Sequence, residues 1–266
     1  MIRNDTDLTI PDGIGSPELA PDVRCGLLPR QHLPGTACGF AEEAASFTML
    51  SETDIRDRLA DPTRVKPTQR PWWTLSQGRH GSCASESANC SIMATRERQN
   101  QEKIKFNPYF NYVQPDVGGR RDRGSSLDAN LISIRRDGCC PMAIRSRSKG
   151  LSRPTEEETE AAKLYRGLEF AELQTLMAFR TLLVSDVPVC AGYRGHAITF
   201  FELANYNQAW YFNSWWPWGE KPHPECKVGG FGLLNLSRLY LPYGMYALLT
   251  TTDTSNLDES RFVMAT

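Results

Sequence analysis

What this sequence lacks narrows its function first. No apolar run reaches the roughly 18 residues that a membrane-crossing helix needs. The opening residues Met1-Ile-Arg-Asn-Asp-Thr-Asp carry no apolar stretch behind a basic one, so no secretory signal peptide is expected. Charge of one sign is lacking too: 30 Lys and Arg face 31 Asp and Glu, a formal net charge of −1. That balance gives no electrostatic pull toward nucleic acid or an anionic membrane. Among the eight cysteines no C-x2-C pair occurs, which removes the usual knuckle of a structural zinc site. His223-Pro-Glu-Cys226 is a half-site without a second half. Eight cysteines in 266 residues are also too dilute for the disulfide scaffold of a small secreted domain. Most are expected to be buried free thiols. Histidine is scarce, with His32, His80, His196 and His223 the whole supply.

What is present reads as a globular protein with a real core: 40% hydrophobic and 23% charged residues. The length suits one large domain or two packed lobes. Residues 1–70 are expected to form an extended Pro/Gly-rich arm with one short helix over 51–61, capped by Ser51 or Thr53, with Ile55 and Leu59 inward. Residues 71–186 read as a helical lobe. From Cys83, small residues recur at helical spacing (Ala84, Ser87, Ala88, Ser91, Ile92, Thr95), so other backbone can approach closely, while the far end from Arg96 reads as wet. Ser125 or Ser126 caps a second helix through Leu127, Leu131 and Ile134, stopped by Gly138; further helices are expected after Glu156 and over 174–183. Residues 187–266 change character. Strands are expected over 187–193, 196–203, 208–213, 230–236 and 245–251. Helices first and strands last argue for an α+β protein, a helical lobe packed against an antiparallel sheet.

A nucleophilic cysteine needs a depressed pKa, a base within reach and donors for an oxyanion. Cys83 sits where Gln77-Gly-Arg-His-Gly-Ser-Cys83 turns into helix, and a helix N-terminus favours the thiolate. Gly78 and Gly81 allow close backbone approach, and the Gln77 amide is placed to donate beside the Cys83 N–H. His80 is local to Cys83, though its direction cannot be read. His196, after Gly195, opens the apolar strand Ala-Ile-Thr-Phe-Phe. Asn213 ends the next strand, 17 residues on, so paired antiparallel strands would set its amide oxygen beside the imidazole, with Trp215 covering that bond from water. Each residue alone has a bland reading: Cys83 a buried helix residue, His196 a strand residue with a satisfied ring, Asn213 a strand end, Trp215 core. Their conjunction in order favours the chemical one.

In that order the sequence resembles the papain-like cysteine peptidases, whose nucleophile signature C-G-[SA]-C-[WY] reads here as His80-Gly-Ser-Cys83-Ala. Gly229-Gly-Phe-Gly-Leu-Leu is similar to the family's closing Gly-Tyr-Gly strand. Phe106-Asn-Pro-Tyr-Phe, Asp122-Arg-Gly-Ser-Ser-Leu-Asp and Gly138-Cys-Cys-Pro resemble the compact bacterial and phage members, where an Asp-x-Gly-[ST]-Ser helix cap recurs. The resemblance implies a papain-like fold with Cys83 as nucleophile, His196 as general base and acid, Asn213 as orienter and Gln77 as oxyanion donor. It further implies Gly81, Ser82, Gly195 and Trp215 along the substrate site, a peptide or protein substrate, and no metal or cofactor.

The departures are informative. The cysteine that the family usually places in a disulfide is His80 here, which suits a reducing compartment, and the aromatic after the nucleophile is Ala84. His196 follows Cys83 by 113 residues, shorter than the family spacing, and the loop after Asn213-Ser-Trp is rebuilt as Trp216-Pro-Trp-Gly-Glu-Lys-Pro-His-Pro. The residues before Trp72 do not match the inhibitory prosegment of secreted relatives and read as a permanent arm, a candidate surface for a protein partner. A cytoplasmic or virion-associated location is expected. The competing reading is a non-catalytic interaction protein, such as a phage virion component, on the same scaffold; it gains if the arm fills the groove. Nucleic-acid contact through Arg120, Arg121, Arg123, Arg135, Arg136, Arg145 and Arg147 is disfavoured, because a solvated face explains the run and aromatics are sparse there.

Overall fold

The computed structural model describes residues 27–28, 40–41, 47–63, 72–78, 80–193, 195–214, 231–239 and 243–254. Trp215, His32, His223, Cys25, Cys38, Cys226 and residues 216–230 lie outside the described residues.

Helix starts follow side-chain chemistry. In α1 (Glu52–Ala60), Ser51 and Asp54 form a reciprocal capping box, so Ser51 rather than Thr53 is the cap, and Ile55 turns inward. The small residues of α2 (Cys83–Arg98) are nearly all buried, which lets this helix lie close against the sheet. A short α3 (Pro108–Tyr112) begins at Asn107, whose side chain accepts from the Tyr109 N–H. In α4 (Leu127–Arg136), Ser126 and not Ser125 is the cap. Gly138 then takes a left-handed φ of +82°, and a Cβ there would meet the Ala162 carbonyl oxygen at 1.8 Å, so only glycine fits. Thr155 and Glu158 box the start of α5 (Glu156–Ala162), and Thr175 caps α6 (Leu176–Val184).

Among the described residues seven strands form one sheet: β1 (Phe40–Ala41), β2 (Gly167–Glu172), β3 (Val189–Tyr193), β4 (His196–Asn205), β5 (Gln208–Phe212), β6 (Phe231–Asn235) and β7 (Met245–Thr251), in the order β1-β2-β7-β3-β4-β5-β6. Only the β1–β2 pair is parallel. The α+β architecture expected from the sequence, helices packed against an antiparallel sheet, is the one observed, with one difference. The sheet recruits β1 from the arm segment and β2 from the helical stretch, both ahead of residue 187.

Strand alternation divides the core in two. Ala197, Tyr246 and Leu248 face α2 and α4, joining Cys83, Leu127, Leu131 and Phe170. Ile198, Phe200, Ala247 and Leu249 face the other way onto α1 and α6, against Ile55, Phe179 and Leu182. The sheet is therefore covered on both faces. The far end of α2 is solvated from Glu97 onward as expected, and Arg96 is the exception. Arg96 is fully buried, its guanidinium 5.2 Å from the Tyr165 ring centroid and donating to Thr254 Oγ1 at 2.8 Å. Aromatic faces and the oxygens of Glu102, Thr252 and Thr254 replace water around this charge.

Candidate active site

Cys83 is the first residue of α2 and is fully buried. The helix start is arranged unusually. Ser82 makes no side-chain cap; its hydroxyl turns instead to Glu86 Oε1 at 3.4 Å. Glu86 is itself fully buried in the first turn, and Arg147 meets its two oxygens at 2.7 and 3.2 Å. The Arg147 guanidinium also lies 4.4 Å from the Tyr109 ring centroid. A carboxylate one turn from a thiol opposes thiolate formation, and the paired guanidinium offsets that field.

His196 opens β4 and is 5% exposed. Its Nε2 meets Asn213 Oδ1 at 2.5 Å, 17 residues along the chain. The β4–β5 ladder, with Thr199 opposite Phe212, brings these two side chains together as the antiparallel reading anticipates. With the Asn213 oxygen accepting, the proton of a neutral imidazole sits on Nε2. Burial drives the His196 pKa down to about 4, and the Asn213 contact works in the opposite direction.

The helix and the strand are stitched together just beyond these residues. Ser87 Oγ and Thr199 Oγ1 lie 2.9 Å apart, one helical turn after Cys83 and three residues after His196. Gln77, fully buried, joins from a third direction. Its N–H donates to the Ser214 carbonyl at 2.8 Å, its Oε1 accepts from Ser214 Oγ at 3.3 Å, and its Nε2 donates to the His80 carbonyl at 2.7 Å. The oxyanion-donor candidate is thus anchored to the residue following Asn213.

The residues expected along the substrate site fare differently. Gly81 and Ser82 are both buried, the Gly81 N–H donating to Asp122 Oδ1 at 2.8 Å, so they brace the site from inside. Gly195, at φ +74°, accepts a 3.2 Å hydrogen bond from the Leu27 N–H of the arm. The Leu28 N–H donates to the Ser125 carbonyl at 3.0 Å. Two consecutive arm residues therefore tie the residue before His196 to the residue before the α4 cap.

The direction of His80 is settled: its Nδ1 lies 3.1 Å from Asp122 Oδ2 and its ring packs edge-on against Tyr109, at a centroid distance of 5.0 Å. Asp122 lies outside the cap of α4, which Ser126 provides, and clamps the turn before Cys83. Sequence reading did not reach Asp122, Glu86 or Arg147 in these roles, because the partners lie 41 and 61 residues apart in the chain. Three arginines of the basic run form ion pairs within the fold: Arg145 with Glu158 at 2.6 Å, Arg147 with Glu86, and Arg136 with Asp116 and Asp137.

No family model matches the chain, and a search of curated proteins finds no match. Solved structures do match. Xylellain, a cysteine protease from Xylella fastidiosa, aligns with a TM-score of 0.59 at 15% identity over 85% of this chain and 95% of its own. The Amb a 11 cysteine protease of ragweed pollen, in its proform, gives 0.51 at 17% identity over 72% of this chain and 68% of its own. A Carica candamarcensis cysteine protease in complex with E-64 gives 0.50 at 12% identity over 67% of this chain and 92% of its own. At such identities the likeness is one of fold.

Proposed function

The chain has the papain-like fold, and from that premise we propose that it is a thiol hydrolase that cleaves peptide or protein amide bonds. The reading rests above all on the buried His196–Asn213 pair, whose strand β4 packs against the helix that begins at Cys83 and is stitched to it through Ser87 and Thr199. Asn213 engages Nε2, so proton exchange with the thiol runs through Nδ1. Burial holds this imidazole neutral near pH 7, the state in which it acts as a base.

In the proposed reaction Cys83 gives its proton to His196 and the thiolate attacks the scissile carbonyl carbon, moving the carbonyl electrons onto oxygen. The Cys83 N–H and the Gln77 amide donate to that oxyanion. A carboxamide has two N–H donors: one already bonds the His80 carbonyl and fixes the group, and the other serves the oxyanion. Collapse expels the amine, which takes the proton from His196 Nδ1, and water, deprotonated by the same nitrogen, releases the acyl group. The test is turnover of a mixed peptide library followed by mass spectrometry. New termini that appear with the native chain and vanish with Cys83→Ala support the proposal, and identical peptide patterns from both contradict it.

A second reading has its own observation. The Leu27–Leu28 bridge between Gly195 and Ser125 is the kind of fixed N-terminal docking that an interaction protein would display. Under that reading, weakening the bridge releases no cleavage. Under the hydrolase reading, it raises the reactivity of Cys83.

A further inference from the structure

Four side chains, His80, Tyr109, Tyr112 and Asp122, make a chain of contacts behind the turn that delivers Cys83. The Asp122 carboxylate is at its centre: Oδ1 accepts from the Gly81 N–H at 2.8 Å and from the Tyr112 hydroxyl at 3.1 Å, while Oδ2 meets His80 Nδ1 at 3.1 Å. The Tyr112 oxygen in turn accepts from the Gly124 N–H at 3.1 Å, so it holds Asp122 and the strand of chain leading away from it together. Tyr112 is fully buried, and burial together with the Asp122 charge keeps its phenol protonated and donating. At the other end of the turn, the Tyr109 hydroxyl donates to the Gln77 carbonyl at 2.9 Å. Asp122 itself adopts φ +51°, ψ +39°, a left-handed conformation that few residues other than glycine, asparagine and aspartate tolerate.

The stretch Gln77–Cys83 carries both expected oxyanion donors, the Gln77 amide at one end and the Cys83 N–H at the other. Their convergence depends on the shape of the backbone between them. Glycine at 78 and 81 leaves that backbone little stiffness of its own. The Gln77 bond to the His80 carbonyl fixes part of its shape from within, and Asp122 adds a brace from outside at Gly81, two residues before the thiol.

We propose that Asp122 is a positioning residue for Cys83, acting through the Gly81 peptide. It replaces a covalent brace at position 80 with a polar one. The proposal builds on the hydrolase reading, but its first readout is independent of it. In the full-length chain, amide hydrogen exchange at Gly81 in the native protein is compared with Asp122→Ala and Asp122→Asn. Loss of this hydrogen bond in Asp122→Ala should speed Gly81 exchange by about tenfold or more while β3–β5 amides stay protected. Asn retains a carbonyl oxygen, so Asp122→Asn should restore most of the protection. The second readout is the pH profile of Cys83 alkylation by iodoacetamide, which Asp122→Ala should displace and Asp122→Asn should displace less.

Unchanged Gly81 exchange and an unchanged alkylation profile in Asp122→Ala would overturn the proposal. If Asp122→Ala fails to fold, Tyr112→Phe, which removes one donor to the same carboxylate, takes its place. Faster Gly81 exchange and a displaced Cys83 profile then support the proposal, and native behaviour of both overturns it. Should Cys83 of the native chain prove no more reactive than the other thiols, the hydrolase reading falls, while Gly81 exchange still decides the role of Asp122.

Discussion

Asn213→Ala is the perturbation that most sharply separates a working His196 from a satisfied core histidine. The structure gives one 2.5 Å contact between Asn213 Oδ1 and His196 Nε2 inside a site where the imidazole is 5% exposed. When Cys83 transfers its proton, His196 becomes a buried cation and this contact becomes a charge-assisted hydrogen bond. Bonds to charged groups contribute about 1.5–3 kcal/mol, so removing the acceptor should slow thiolate-dependent alkylation of Cys83 roughly 10- to 100-fold at pH 7. The His196 pKa, already at about 4 through burial, should fall further, since Asn213 is the group that raises it. Second-order iodoacetamide rates, read at Cys83 by peptide mapping between pH 4 and 9, measure this directly. Asn213→Asp retains an acceptor oxygen and should stay much closer to the native rate. A native rate and pH profile in Asn213→Ala would refute the reasoning, because His196 would then not be coupled to Cys83 through the Asn213-bound tautomer.

Other outcomes follow from the same contacts. Leu27→Pro deletes the N–H that bonds the Gly195 carbonyl, and the loss of one neutral hydrogen bond should raise Cys83 alkylation about 2- to 10-fold, whereas an unchanged rate would mean that the arm does not gate the site. Arg147→Met leaves the fully buried Glu86 carboxylate without its partner and should cost about 3 kcal/mol in urea unfolding, largely recovered by adding Glu86→Gln; a loss below about 1 kcal/mol would contradict the pairing argument. Stability should also depend on pH through His196. Its folded pKa of about 4 lies below the ordinary 6.5, so as pH falls across that window the unfolded chain takes up a proton that the folded chain refuses. Unfolding free energy should therefore drop between about pH 6.5 and 4, by roughly 3 kcal/mol at most, and His196→Gln should flatten that part of the profile. A profile that His196→Gln leaves unchanged would place the titration elsewhere.

Much of this was legible in the sequence because the signals are local. The run of small residues after Cys83 encodes a helix built for close approach, and the short β-rich segments separated by turn residues from residue 187 onward encode the strands β3, β4, β5 and β7. The order of Gln77, Cys83, His196 and Asn213 pointed to one neighbourhood, and the contacts of Gln77 with Ser214 and of His196 with Asn213 join three of these segments. What stayed hidden depends on partners distant along the chain. The Gly167–Glu172 segment becomes β2 because it pairs with β7, about eighty residues later, and its own six residues give little periodicity. Arg96 reads as a solvated charge until Tyr165 and Thr254 are brought around it. Asp122 is visible in the sequence only as part of a stretch resembling a family helix-cap motif, yet a left-handed turn aims its carboxylate back at Gly81.

The central claim is that the thiol at the start of α2 and the imidazole at the start of β4 act as one unit. Mapping the adduct of the epoxide inhibitor E-64 by peptide mass spectrometry tests it most directly, in the native chain and in His196→Ala. The account predicts a single adduct on Cys83 that disappears when His196 is replaced. Adducts spread among the cysteines, or a Cys83 adduct that forms equally well without His196, would contradict it.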